Sequence, residues 1–371
     1  MVHLRQIELA DVITKLPDIQ QLHVGNHFRG RKDDLFLCAL GFEDRCLEDR
    51  CLYVPEAIAE AGGYECSEVC YFEYSTNRND NDINRTRLVT SLGAFSNSLR
   101  SVPCDATDFP SVLRDTIARI CTEKPLPSVA FDVSVCSARL LLLVLKVLFE
   151  FDVSLCITYG EAAIYHPTRE EYDSNRKDWT TEEWFGTSRG VGTVIPSPEH
   201  PGNRLDRLQD AVVVFPTFKS ERAKAVISDV DPSLAMTPGD RVIWIVGEPH
   251  LPENHWRIEA IKEINKIQPS APLYVVSTFD YKRTIETLEL IYQPRDCRYH
   301  VTIAPLGSKM QSLGIALFWY MRQDVSIIFA TPKEYNALQY SEDCRGHWLI
   351  QFGELAKIRN FLDSVGQIQV V

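Results

Sequence analysis

The sequence predicts an α/β protein made of two tandem Rossmann-like units, each a mainly parallel sheet covered by helices. Three observations predict it. Short runs rich in β-branched and aromatic residues alternate with longer helical stretches, the pattern of repeated strand–helix–strand units. Most of the runs are continuously apolar rather than alternating, as strands buried on both faces must be. Landmarks of the first half recur in the same order in the second, which predicts an internal duplication.

In chain order, the expected strands of the first half are Leu35–Leu40, Val69–Tyr74, Val129–Val133 and Val153–Tyr159. Those of the second half are Ala211–Phe215, Val242–Val246, Leu273–Ser277, His300–Ile303 and Ser326–Ala330. Helical stretches separate them at Asn84–Leu92, Val112–Cys121, Ala138–Phe149, Trp256–Lys266, Lys282–Tyr292 and Ser312–Arg322. The stretch Ile195–Asn203 (IPSPEHPGN) holds three prolines and a glycine, so neither a helix nor a central strand fits it and it reads as a linker. A boundary is therefore expected near residue 205, with one unit over 1–200 and the other over 205–371. The recurring landmarks are LFLCALGFEDRCLE (35–48) against VVVFPTFKSERAKA (212–225), CYFEYSTN (70–77) against LYVVSTFD (273–280), and the strand–loop–helix–strand of 129–159 against that of 300–331.

Composition narrows the function. The 371 residues are 45% hydrophobic and 24% charged, which is globular composition. Net charge is −12. Residues 1–200 carry 20 Lys+Arg against 31 Asp+Glu, and residues 201–371 carry 19 against 20. Non-specific nucleic-acid binding is not expected of such a chain. The eleven cysteines are odd in number, and Cys38, Cys70, Cys136 and Cys156 sit inside apolar runs. Buried thiols of that kind point to a reducing cytoplasm. The opening MVHLRQIELADV has no signal-peptide core, and the longest apolar run, Leu140–Phe149, is too short to span a bilayer. No cysteine pair has CxxC spacing, so no metal site is expected. GxGxxG, GxxxxGK[ST] and HExxH are all absent, and no cofactor follows from the sequence.

In open parallel sheets, ligands bind beyond the carboxyl ends of the strands, where the winding reverses. Ser75 opens a polar loop after the second run. Asp132 ends an apolar strand, and Arg139 lies at the start of the helix that follows. Gly307, Ser308 and Lys309 form a tight turn and helix start in the second half. A lysine at a helix N-terminus is disfavoured unless an anion lies nearby. Ser75, Asp132, Arg139, Gly307, Ser308 and Lys309 are therefore the expected ligand-binding residues. The expected ligand is a phosphate-bearing nucleotide, or a protein partner, in a cleft between the halves. The alternative is a metal-assisted hydrolase or transferase acting on nucleotides or nucleic-acid ends, with Asp132, Glu43 and Arg45 as its catalytic set. A third reading is a structural subunit whose contact patch is Trp179, Trp184 and Phe185.

The order of strand, loop with Gly307-Ser308-Lys309 and amphipathic helix in Ala304–Leu317 is similar to the ligand loop of CARF-like Rossmann domains. Those are nucleotide-sensing domains of prokaryotic defence systems, often used in pairs. The resemblance implies a nucleotide ligand, a role in antiviral defence, and an effector subunit in a protein complex. The first half departs from it, with Val135-Cys136-Ser137 where a glycine turn is expected.

Overall fold

The computed structural model describes the chain except residues 1–3, 44–53, 176–186, 205–206, 296–297, 366–367 and 371. It divides into two compact units, Met1–His166 with Ala337–Val371, and Pro167–Asn336. The partition differs from the expected boundary near 205. Residues 167–200 belong with the second unit, and the C-terminal segment returns to the first.

In chain order the sheet strands of the first unit are β1 (Gln20–Gln21), β2 (Lys32–Leu40), β3 (Glu65–Glu73), β4 (Leu99–Pro103), β5 (Ser128–Asp132) and β6 (Ser154–Tyr165). Those of the second are β7 (Thr193–Pro196), β8 (Gln209–Val214), β9 (Val242–Glu248), β10 (Leu273–Ser277), β11 (Tyr299–Ala304) and β12 (Ser326–Thr331). The last, β13 (Ser341–Glu354), is in the first unit again.

The first sheet has the order β1-β13-β6-β5-β2-β3-β4, with β2 to β6 mutually parallel and β13 antiparallel to β6. The second has the order β10-β9-β8-β11-β12-β7, with β8 to β12 parallel and β7 antiparallel to β12. Numbered by appearance, the parallel strands of both sheets run 3-2-1-4-5, closed beside the fifth by one antiparallel strand. All nine runs read from the sequence are strands of these two sheets. Corresponding strands begin 177 residues apart at β2 and β8 and 172 apart at β6 and β12. The first and third landmarks thus fall on equivalent strands. The second does not, because β3 is the second strand of its sheet and β10 the third of the other.

Central position explains the continuous apolar runs. In β2, Leu35 to Ala39 are each 0% exposed, because helices cover both faces of a parallel sheet. The covering helices of the first unit are α1 (Val54–Ala61), α2 (Arg78–Gly93), α3 (Phe109–Glu123) and α4 (Ala138–Leu148). Those of the second are α5 (Ser220–Val230), α6 (Trp256–Ile264), α7 (Tyr281–Tyr292) and α8 (Lys309–Met321). In α4, Leu140 to Leu145, Val147 and Leu148 are all buried, each leucine stabilising the fold by roughly 1.5–3 kcal/mol. Ser137 starts this helix by accepting the Leu140 N–H at 3.2 Å.

The strands that the sequence hid are the irregular ones. The stretch Tyr340–Trp348 reads as a loop, yet most of it is β13, whose register shifts between Cys344 and Gly346 and between Gln351 and Gly353. Such bulges break the two-residue period. Part of the expected linker is β7, an edge strand in which Pro196 costs no central hydrogen bond.

Among the described residues, no helix is long and apolar enough to cross a membrane. Described cysteines are buried apart from half-buried Cys121, and burial pushes the thiols of Cys66, Cys70 and Cys156 up to about 12. The acidic excess is greater in the first unit, with 19 Lys+Arg against 28 Asp+Glu, than in the second, with 20 against 23.

The return of β13 makes a prediction. A chain ending at Asn336 strips β6 of its antiparallel neighbour, so the first unit is expected to lose its cooperative unfolding transition while the second keeps its own. Calorimetry of the shortened chain checks this, and two intact transitions would refute it.

Candidate functional site

Both sheets reverse their winding between the first and fourth parallel strands, so the loops leaving β2 and β5, and those leaving β8 and β11, are the places to examine.

In the first unit these two loops touch. A Cβ on Gly41 would stand 2.8 Å from the Val135 Cβ, so only glycine fits there. Asp132, 1% exposed, accepts from the Ser134 N–H at 3.2 Å, the Ser134 hydroxyl at 2.5 Å and the Thr158 hydroxyl at 3.4 Å. The Ser134 Oγ in turn accepts the Gly160 N–H at 2.7 Å. Asp132 therefore ties the end of β5 to the middle of β6. Arg139 lies half-buried in the first turn of α4. Ser75 is occupied within the unit, since its N–H and hydroxyl both donate to Asp105 Oδ2, at 2.7 and 2.8 Å. Glu43 accepts from the Ser341 hydroxyl at 2.8 Å. It lines a pocket with Gly41, Glu56, Asn84 and Arg87. Arg45, Trp179, Trp184 and Phe185 lie outside the described residues. No group of three or more His, Cys, Asp or Glu side chains suited to a metal occurs among the described residues.

The second unit carries cations at the corresponding strand ends. Gly307 leaves the room that the Gln311 side chain fills, and a Cβ there would collide with Gln311 Oε1. Gln311, 1% exposed, accepts the Ser308 N–H at 3.0 Å, while the Ser308 Oγ accepts the Gln311 N–H at 3.1 Å, a capping box. The Ser308 hydroxyl also donates to the Thr278 carbonyl at 2.6 Å. Gly307 and Ser308 thus shape the turn, and half-exposed Lys309, the first residue of α8, is the charged group on it.

The loop after β8 holds residues that the sequence pattern does not single out. Lys219 stands at the start of α5 and is 6% exposed. Burial lowers its ammonium from 10.5 to about 8. Its N–H donates to Thr217 Oγ1 at 3.2 Å, and an Arg222 Nη reaches the same oxygen at 3.5 Å. The Arg222 Nε is buried without a hydrogen-bond partner among the described residues. Asn265 pins this loop from α6's end, donating to the Thr217 carbonyl at 2.8 Å. The sequence placed Lys219 only as a match to the first half. Its burial arises from tertiary packing and leaves no local signature.

The described charged groups at these strand ends and helix starts are Glu43, Asp132 and Arg139 in the first unit and Lys219, Glu221, Arg222 and Lys309 in the second. Helix starts present unpaired N–H groups and a positive dipole end, which suit an anion.

No family model and no curated protein matches the chain. Among solved structures, the chain is similar to one titled crystal structure of the cytoplasmic domain of a prokaryotic cation chloride cotransporter. Identity is 10% and the TM-score 0.22, over 83% of this chain and 99% of that one. A likeness at that score carries no argument.

Lys219 holds its proton less tightly folded than unfolded. Its burial thus costs stability in full below about pH 8, and the cost fades as pH rises from there to 10.5, where the unfolded lysine also loses its proton. Lys219→Met is expected to raise stability at pH 7 by on the order of 2 kcal/mol, a gain that shrinks toward the alkaline end. Denaturant melts across that range check the sign, and a loss of stability at pH 7 would overturn it.

Proposed function

We propose that the chain is a tandem Rossmann-like protein that binds a phosphate-bearing nucleotide, with the phosphate held at the switch point of its second unit. Lys219 and Lys309 supply the charge, and the starts of α5 and α8 supply backbone N–H groups. The observation that carries this reading is the burial of Lys219 at a helix N-terminus. Burial and the helix dipole both disfavour an ammonium there, and an anion offsets both penalties. A nucleotide presents such an anion at one end, and Rossmann-like sheets receive it at this place.

On this reading the chain senses its ligand rather than transforming it. Asp132 supports a binding role for the fold because its carboxylate works as a tie between strands. A protein partner or effector subunit, and a place in a defence system, come with the CARF-like resemblance and are proposed on it alone. The ligand-binding role of Ser75 is not carried forward, since Asp105 takes both of its donors.

Calorimetric titration with a panel of mono-, di- and cyclic nucleotides tests the reading. At least one is expected to bind, and Lys309→Ala and Lys219→Met are each expected to weaken it about tenfold or more, the loss of one charge-assisted hydrogen bond. Affinity is expected to fall as pH rises through about 8, where Lys219 loses its proton. Failure of every nucleotide to bind, or unchanged affinity in both variants, would sink it.

A further inference from the structure

We infer that the outer edge of β10, in the second unit, is an interface for a second copy of this chain, the two β10 strands pairing antiparallel across a two-fold axis. β10 ends its sheet, with β9 on one side and no strand on the other. Its sequence is nonetheless the uninterrupted run Leu273-Tyr274-Val275-Val276-Ser277. Elsewhere in both sheets, runs of that kind belong to strands with a neighbour on each side. A neighbour supplied by another molecule gives β10 the same surroundings.

The other outer edges of the two large sheets are blunted against such pairing. β1 is two residues long. β7 carries Pro196. β4 holds the place in the first sheet that β10 holds in the second, and it exposes Arg100 and Ser101 and ends at Pro103. β10 has no charged residue, no proline and no register shift. Val275, at its centre, is 43% exposed.

The hydrogen bonds to β9 fix which backbone groups point outward. The Trp244 N–H donates to the Pro272 carbonyl and the Thr278 N–H to the Glu248 carbonyl, both at 2.9 Å. Direction alternates along a strand, so Pro272, Tyr274, Val276 and Thr278 face β9. The N–H and C=O groups of Leu273, Val275 and Ser277 face away, with no hydrogen-bond partner among the described residues. These three residues are symmetric about Val275. Turned by a two-fold axis, the edge is complementary to itself. Val275 exchanges both of its hydrogen bonds with Val275 of the second copy, and Leu273 pairs with Ser277 of that copy. The two β-branched Val275 side chains then stand side by side, a favourable cross-strand pair, and no like charges meet across the axis. A second copy satisfies all three residues with nothing beyond the edge itself, which selects it over a peptide from another protein.

Sedimentation velocity of the full chain over about a hundredfold range of concentration is expected to show monomers giving way to dimers. Val275→Pro removes only an outward N–H, which an edge strand tolerates, and is expected to weaken dimerisation about tenfold or more through loss of the central pair of hydrogen bonds. Val275→Lys sets like charges opposite each other and is expected to weaken it likewise, whereas Val275→Thr keeps a strand-forming, uncharged edge and leaves the dimer in place. Thermal melts verify that the variants fold, and Val275→Lys decides the matter if the proline variant does not. Hydrogen exchange identifies the occupant, since the amides of Leu273, Val275 and Ser277 are expected to be protected at high concentration and to exchange freely on dilution. A monomer at every concentration, a dimer indifferent to both Val275→Pro and Val275→Lys, or protection of these amides that does not change on dilution would overturn the inference.

Discussion

The pairing of β13 with β6 is the constraint on which the first unit depends. A parallel sheet of order 3-2-1-4-5 ends on its fifth strand, and an open row of N–H and C=O groups on a long apolar strand invites aggregation. Both units solve this with one antiparallel strand, but they draw it from different places in the chain. The second unit takes β7, which precedes its first parallel strand. The first takes β13, which follows the whole of the second unit. The chain therefore runs through six strands of one sheet, completes the other, and only then closes the first. This order binds the folding of the first unit to the C-terminal segment.

A shared strand order with spacings of about 170 to 180 residues is what an internal duplication leaves behind. Equivalent positions carry different chemistry. At the first unit's switch point, Val135 packs on Gly41 and the acids Asp132 and Glu43 are held by Ser134, Thr158 and Ser341. At the second, Gln311 fills the space above Gly307, and Lys219, Arg222 and Lys309 gather near two helix starts. The acidic excess of the first unit and the near-balance of the second are the same difference seen in composition.

The sheets were legible where burial is two-sided. Every strand that reads as a continuous apolar run has a neighbour on each side, apart from β10 at an edge. The strands that escaped notice lack that signal for physical reasons. In β4 the side chains of Arg100 and Ser101 face solvent at a sheet edge, β7 carries a proline at an edge, and β13 is interrupted twice by bulges. The site was legible only in part. Lys309 stands at a helix start, as its spacing from Gly307 predicts. Ser75 has the right residue type, yet Asp105 takes both of its donors, and Asp132 uses its Oδ1 to hold Ser134 and Thr158. Lys219 has an ordinary sequence context, and only the packing around Thr217 and α6 makes it unusual.

The central claim is that the second unit's switch point receives an anion beside a buried lysine. The most direct measurement is the titration of Lys219 itself, by NMR of the ¹³C-methylated chain, with Lys219→Arg to assign its signal, between about pH 6 and 11 with and without inorganic phosphate. The account predicts a midpoint near 8 that moves upward when phosphate is added. A midpoint at the ordinary 10.5, indifferent to phosphate, would contradict it.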